Sequence, residues 1–392
     1  MEQDIIFIKK RKINLILLVA FLTLSGQVAF ADEVHNEDEE LITIEETMSL
    51  EEYYKYSDDK DEVSLYNVNE DKIKSQIKND LKGLKKEIDI SEYYTDMNIN
   101  TINMSSITAL YFEVLYENPD LFYSSNWVNL RHSYNPYTGQ IKKIILQVGY
   151  LYSDSDIKLM KNKRDEKVNY IVNNYLKGIT NELELEYNIQ NYILMNTTYD
   201  YDNYLNGRVP DISHTAYGSL VNGVAVCDGY AKAAKLLFNL VGIESGVITS
   251  DAMNHAWNYV KINGKYYHLD LTWDDPVHEA TQIRYNYFNL SDEEMKRNHR
   301  WVDNNYPKCT SNDFTFLRSG YTQYCKVKDR LYYTKTDGLY YVDLYGNNPI
   351  KENELYGANL VSYKNDLFFS RYMNGKYNII KYNIITKNWV KF

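Results

Sequence analysis

Residues 254–273 have the sequence NHAWNYVKINGKYYHLDLTW, and this stretch decides the interpretation of the chain. Two alternating runs of apolar and polar residues flank Asn263 and Gly264, a pair that favours the two-residue turn of a β-hairpin. A turn of that length pairs position 262 with position 265, so that Trp257 faces Asp270 and His255 faces position 272. His255 and Asp270 are then diagonal neighbours on one face, with backbones about 7 to 8 Å apart. The hairpin therefore predicts a histidine and a carboxylate that can share a hydrogen bond.

A candidate nucleophile lies upstream, in residues 222–231, which have the sequence NGVAVCDGYA. A short apolar run ends at Cys227, and apolar residues then recur at helical spacing as far as Gly242, which favours the end of a helix. A thiol at a helix N-terminus lies near the positive end of the helix dipole, which favours the thiolate. An isolated cysteine at such a position is more often a small buried residue. The assignment of Cys227 as a nucleophile therefore depends on His255 and Asp270, which supply a base and the group that orients it.

The chain has three cysteines, so at least one thiol stays unpaired within it. Cys309 and Cys325 lie in a loop-rich stretch, where a disulfide bridge and two free thiols are equally open alternatives. Cys227 is the expected unpaired thiol. Cysteine and histidine are also common ligands of zinc, but the sequence has no C-x-x-C pair and no H-E-x-x-H motif. We therefore expect no metal and no cofactor.

Three blocks of sequence carry a resemblance to a known family, namely GVAVCDGYA at 223–231, NHAWN at 254–258 and YHLDLTWDDP at 267–276. In this order they resemble the bacterial transglutaminase-like superfamily, over about residues 156–305. The resemblance implies an α+β fold with a papain-like core, in which a helix carrying the cysteine packs on an antiparallel sheet carrying the histidine and the aspartate. It also implies Cys227 as nucleophile, His255 as general base and Asp270 as the residue that orients the imidazole.

Three further residues are candidates for contacts with a substrate. An oxyanion in such a site would accept a hydrogen bond from the Cys227 backbone N–H, and His214 or Tyr217 would supply a second donor. Trp257 would form a wall of the substrate groove. For His214 and Tyr217, a place in the groove lining or the core is at least as good an interpretation.

The N-terminal sequence indicates a compartment. Four basic residues at 9–12 precede an apolar run and the small-residue site Ala29-Phe30-Ala31, which together predict a secretory signal peptide at 1–31. Residues 32–62 carry fourteen acidic side chains against two lysines, and this composition is typical of a solvated, disordered leader that the fold does not need. We expect a secreted protein that is extracellular or associated with the cell wall, with no membrane span after signal cleavage.

The rest of the chain divides into three predicted regions. Residues 63–155 favour a small α+β region, and residues 156–305 contain the three blocks described above. Residues 306–392 are rich in tyrosine and carry two similar hairpin patterns 36 residues apart, around Leu331 and Leu367, which predict a β-rich module. The ligand of that module and the oligomeric state stay open.

Three functions fit these residues. The first is transglutaminase-like acyl transfer on protein or cell-wall peptide amides through a thioester on Cys227, and the second is hydrolysis of the same bonds by a peptidase or amidase. The third is a non-catalytic cell-surface protein with a vestigial site. No basic patch with interleaved aromatic residues is present, so nucleic acid is not an expected partner.

Overall fold

The structure is a computed structural model that describes residues 41–58, 69–95, 97–275, 284–302, 306–318, 324–344, 346 and 348–392. The predicted signal peptide at 1–31 lies outside these residues, and so does the first part of the predicted leader. Every described residue belongs to one compact unit, Glu40–Phe392. Within the described ranges, none of the helices combines the length and the apolar character that a membrane-spanning segment requires.

The first region is a four-stranded antiparallel sheet covered by helices. Its elements are β1 (Ile42–Ser49), α1 (Leu50–Asp58), α2 (Glu70–Lys82), β2 (Glu87–Asp89), α3 (Met104–Glu117), β3 (Ser124–Tyr134) and β4 (Ile141–Tyr150). The strand order is β1-β3-β4-β2. Helix α3 is buried along most of its length, because its residues are apolar on nearly every side, and it forms the centre of this core.

The prediction of a disordered leader is wrong for residues 42–58. Strand β1 pairs with β3 over its whole length, and α1 buries Tyr53 and Tyr54 in the core. Tyr53 stacks on Phe112 with 5.0 Å between ring centroids. The four glutamates of this segment are exposed, so their charge does not oppose the packing of the aromatic residues near them. The overall composition of the segment does not show that its acidic and aromatic residues lie on different faces.

The second region contains a helical layer and a second antiparallel sheet. Its elements are α4 (Asp154–Ile171), α5 (Glu182–Asn196), β5 (Thr198–Tyr199), α6 (Tyr201–Leu205), β6 (Val224–Ala225), α7 (Cys227–Val241), β7 (Ser245–Ser250), β8 (His255–Ile262), β9 (Lys265–Leu269), α8 (Leu271–Asp274), β10 (Phe288–Leu290), α9 (Asp292–Met295) and α10 (Thr315–Arg318). The sheet order is β10-β9-β8-β7, and α7 packs on β7 and β8. A shared apolar core joins Ala234 and Leu237 of α7 to Val260 and Leu269 of the sheet.

The hairpin of β8 and β9 has the predicted register as far as Leu269. Ile262 pairs with Lys265, and Asn258 pairs with Leu269. Asn263 and Gly264 both have positive φ angles, as a type I′ turn requires. Beyond Leu269 the prediction is wrong, because position 272 lies in α8 and does not face His255.

The third region consists of two four-stranded antiparallel sheets in sequence. The first contains β11 (Cys325–Val327), β12 (Arg330–Lys335), β13 (Gly338–Asp343) and β14 (Ile350–Asn353), and the second contains β15 (Ala358–Tyr363), β16 (Asp366–Met373), β17 (Lys376–Asn383) and β18 (Trp389–Lys391). One face of the first sheet packs on the core of the second region through Leu331 and Tyr333. Its other face packs on the second sheet, where Tyr332 joins Leu367 and Phe369. The expected α+β fold with a β-rich C-terminal region is confirmed.

Candidate active site

Cys227 is the first residue of α7. Val226 precedes it in an extended conformation and has no side chain that can accept a hydrogen bond from the first helical turn. Gly229 allows that turn to pack directly on the backbone at Ser213, where a Cβ atom would collide with the carbonyl oxygen. Cys227 is 9% exposed, and as the first helical residue it lies near the positive end of the helix dipole.

His255 begins β8 and lies between the thiol and a carboxylate. Its Nε2 atom is 2.7 Å from Oδ2 of Asp270, which leaves Nδ1 for the hydrogen bond with Cys227. Burial lowers the pKa of His255, but the Asp270 charge, its hydrogen bond and the Cys227 thiol together raise it to about 10. The imidazole therefore holds a proton at neutral pH in this environment.

Asp270 is the first residue after β9 and the N-cap of α8. It is fully buried, and its Oδ1 atom accepts a hydrogen bond of 3.1 Å from the Trp273 backbone N–H. Its Oδ2 atom contacts His255 and also Nε2 of His299, at 3.0 Å. Burial raises the pKa of Asp270, but the two histidines outweigh burial and hold the pKa well below its usual range. The carboxylate is therefore ionised and fully hydrogen-bonded.

His299 is the residue of this site that the sequence analysis missed. It follows α9 in a loop, 29 positions after Asp270, and its side chain is fully buried. Its ring lies 4.2 Å from Trp273 and 5.1 Å from Trp257, centroid to centroid. No periodic pattern or turn motif connects position 299 with the hairpin, so the local sequence gives no signal for this contact.

Two groups in the described part of the chain contain enough ligand atoms for a metal ion, but their contacts fit hydrogen bonds better. In the first, the His255 and His299 nitrogens lie 2.7 and 3.0 Å from one Asp270 oxygen, whereas ligands of a tetrahedral zinc ion stand about 3.3 Å apart. In the second, His268 contacts Asp292 at 2.9 Å and accepts a hydrogen bond from the Trp257 indole N–H on its other nitrogen. That donor fixes the proton of His268 on the nitrogen that faces Asp292.

His214 is a partly exposed residue that pairs with the first turn of α7. Its Nδ1 atom is 2.9 Å from Asp228, the residue that follows Cys227, and its side chain is 26% exposed. Lys232 donates to the other Asp228 oxygen at 3.2 Å and to the His214 carbonyl at 2.9 Å. Burial lowers the pKa of His214, and the Asp228 charge and hydrogen bond outweigh it and raise that pKa.

Tyr217 and Trp257 are both buried. Tyr217 packs in the core of the first region and stacks on Phe122, with 4.8 Å between ring centroids. Trp257 is buried beneath His255, with the two rings stacked at 5.7 Å. Trp273 is the aromatic residue that reaches the surface at this point: it is 37% exposed and its ring lies 6.0 Å from that of His255. Of these two tryptophans, Trp273 is therefore the exposed one and Trp257 the buried one.

The alternatives for the other two cysteines are resolved in favour of free thiols. Cys227, Cys309 and Cys325 all lie among the described residues, and each is a free thiol. Burial and the neighbouring Asp292 raise the pKa of Cys309 far above its usual range, and burial also raises the pKa of Cys325. These two thiols are protonated at neutral pH and are therefore weak nucleophiles.

Residues 169–271 match the family model of the transglutaminase-like superfamily. The chain carries a transglutaminase-like domain. The matched residues include Cys227, His255 and Asp270, and they end before His299. This match supports the superfamily, whose members are typically cysteine enzymes.

The comparison with solved structures gives two weaker similarities. One is to a chain described as a TGase, with 14% identity and a TM-score of 0.27, covering 46% of this chain and 56% of that one. The other is to a putative cysteine protease from Cytophaga hutchinsonii, with 15% identity and a TM-score of 0.23, covering 38% of this chain and 54% of that one. This chain thus spans little more than half the length of either of those two chains. No curated protein matches the chain in sequence.

Proposed function

We propose that this protein is a thiol acyl-transfer enzyme of the transglutaminase type, which acts on amides of proteins or cell-wall peptides. The observation that carries the proposal is the position of His255, between the Cys227 thiol and the buried carboxylate of Asp270. A thiol at a helix N-terminus, a base in contact with it and a carboxylate that orients the base are the parts that covalent acyl chemistry needs.

The first half of the proposed reaction forms a thioester. The Cys227 thiolate attacks the amide carbon, and the carbonyl oxygen takes the electron pair of the C=O double bond. When the C–N bond breaks, that pair returns to form the thioester carbonyl, and His255 gives its proton to the departing amine. In the second half, His255 takes a proton from a primary amine or from water, which attacks the thioester and releases Cys227.

Two donors would stabilise the oxyanion of each step. The Cys227 backbone N–H is one, because it lies in the open first turn of α7. We assign the second to His214, because Asp228 holds its Nδ1 atom and leaves the Nε2 edge of a partly exposed ring for the substrate. Trp273 is the candidate wall of the groove, since it is the exposed aromatic residue beside His255.

The proposed compartment is the outside of the cell, in the medium or at the wall. It is supported by the signal-like sequence at 1–31, with four basic residues, an apolar run and Ala29-Phe30-Ala31. Secretion would bring the enzyme to extracellular proteins and wall peptides as substrates.

Product analysis tests the proposed reaction and distinguishes its acyl acceptors. The protein is incubated with a library of glutamine-containing peptides, with and without a primary amine, and the mass of each peptide is followed. Amine incorporation supports the transglutaminase reaction, whereas deamidation or chain cleavage alone identifies the amidase or peptidase alternative. The control is Cys227→Ala, which should form no product. If the unmodified protein also forms none of these products and Cys227 resists alkylation, the protein is a binding protein and the proposal is wrong.

A further inference from the structure

Two histidines from different parts of the chain donate to one oxygen of Asp270. His255 comes from the start of β8, and His299 comes from the loop after α9. Their Nε2 atoms lie 2.7 and 3.0 Å from Oδ2, and both rings are buried. The mechanism proposed above uses only His255, so the second donor needs its own explanation.

We propose that His299 is a positioning residue of this site, which holds the Asp270 carboxylate in the orientation that His255 requires. This inference rests on the proposed function, since it concerns the same site. His299 lies outside residues 169–271, so the family match does not account for it. It touches neither the thiol nor a substrate, and it acts through Asp270.

The geometry explains why a second donor is useful. A carboxylate can rotate about its Cβ–Cγ bond, and only donors from different directions fix that rotation. The Trp273 N–H holds Oδ1, and His299 approaches Oδ2 from a part of the fold different from that of His255. If His255 becomes mobile during proton transfer, His299 and Trp273 still hold the carboxylate. Full hydrogen bonding also offsets the cost of burying this charge.

His299 is itself fixed by its surroundings. Its Nδ1 atom lies 2.8 Å from the side-chain oxygen of Asn298, and that amide also donates to the Tyr287 hydroxyl at 2.6 Å. Its ring packs against Trp273 at 4.2 Å and Tyr287 at 5.4 Å. A ring that is bonded at both nitrogens and packed between aromatic residues cannot turn away from Asp270, which is what a positioning residue requires.

The test measures the rate at which iodoacetamide alkylates Cys227 at pH 7, which needs no knowledge of the substrate. His299→Phe keeps a ring against Trp273 but removes the donor, and we expect alkylation to slow by roughly tenfold or more, as for the loss of a hydrogen bond to a charged group. His299→Gln keeps an N–H donor and should restore a rate close to that of the wild type. In an Asp270→Asn background, His299→Phe should cause no further loss, because both residues act through one contact.

The outcomes separate this inference from the proposed function. If Asp270→Asn slows alkylation but folded His299→Phe does not, the inference is wrong and the proposed function stands. If the wild-type thiol reacts no faster than a model thiol and Asp270→Asn changes nothing, the proposed function itself fails. Should His299→Phe not fold, nitrogen NMR of the wild-type protein decides: His299 protonated at Nε2 supports the inference, and His299 protonated only at Nδ1 overturns it.

Discussion

Replacement of Asp270 by asparagine should keep the fold but remove most of the activity. The carboxylate accepts hydrogen bonds from His255 and His299 on one oxygen and from the Trp273 N–H on the other. An asparagine side chain has one oxygen and one NH₂ group, so in either orientation at least one donor faces another donor. The imidazole of His255 also loses the negative charge that stabilises its protonated form.

The size of the loss follows from the electrostatics of the pair. Two unit charges 4 Å apart interact with about 4 kcal/mol at an effective dielectric constant of 20. The rise in the pKa of His255 from 6.5 to about 10 corresponds to about 5 kcal/mol, part of which comes from Cys227. If much of this energy is lost in the transition state, kcat/KM falls by about 10³-fold. A related serine triad loses about 10⁴-fold on the same change.

The assay is kcat/KM on the amide substrate that the product analysis identifies, with circular dichroism to confirm folding. His255→Ala provides the upper limit, since it removes the base and should abolish turnover. The matched control is Asp274→Asn at the end of α8, because Asp274 is equally buried and its carboxylate contacts neither His255 nor His299 in the hydrogen bonds described for it. A folded Asp270→Asn variant with a rate within a few-fold of wild type would refute the reasoning.

Three further predictions concern the thiols, the N-terminal segment and pH. Iodoacetamide should label Cys227 in the native protein before Cys309, which is 1% exposed, and peptide mapping that finds the reverse order contradicts the nucleophile assignment. Tyr53→Ala should lower the free energy of unfolding by about 3 kcal/mol in urea titrations, since it empties a core position. A change below about 0.5 kcal/mol would mean that this segment does not contribute to the folded core. The pKa of His255 is raised from 6.5 to about 10, so its contribution to stability is complete below pH 6.5 and is lost as the pH rises towards 10. Because that alkaline loss comes from His255, the variant His255→Phe should lose less stability than the wild type between pH 6.5 and 10. Asp270 has a lowered pKa, so its contribution to stability is present above about pH 4 and is lost in acid.

The part of the site that the sequence predicted depends on local turn chemistry. Asn263 and Gly264 fix the register of β8 and β9, and the register brings His255 and Asp270 to the same end of the hairpin. The hydrogen bond between His255 and Asp270 nevertheless does not come from strand pairing. Asp270 leaves the strand to cap α8, so the helix cap aims its carboxylate, and pairing across the hairpin does not extend to this residue.

The parts that the sequence did not predict depend on contacts between distant segments. His299 reaches Asp270 only because α9 and its following loop return to the end of the sheet, and a loop of this kind has no period that a sequence pattern can reveal. The prediction of a disordered leader was wrong for residues 42–58 for another reason. Its acidic residues dominate the composition, while the few side chains that enter the core, such as Met48 and Tyr54, carry the packing.

The N-terminal region also contributes to the surroundings of the nucleophile. Tyr54 of α1 accepts a hydrogen bond of 2.8 Å from Tyr116 of α3, and the Tyr116 ring lies 4.5 Å from the Lys232 ammonium. Lys232 in turn pairs with Asp228, beside Cys227. Burial raises the pKa of Tyr54, and the charges of Asp228 and Cys227 raise it further, so this ring is within electrostatic reach of both. The matched residues 169–271 are therefore not a self-contained site, because side chains from 50–58 and 104–117 fix the ion pair next to the thiol.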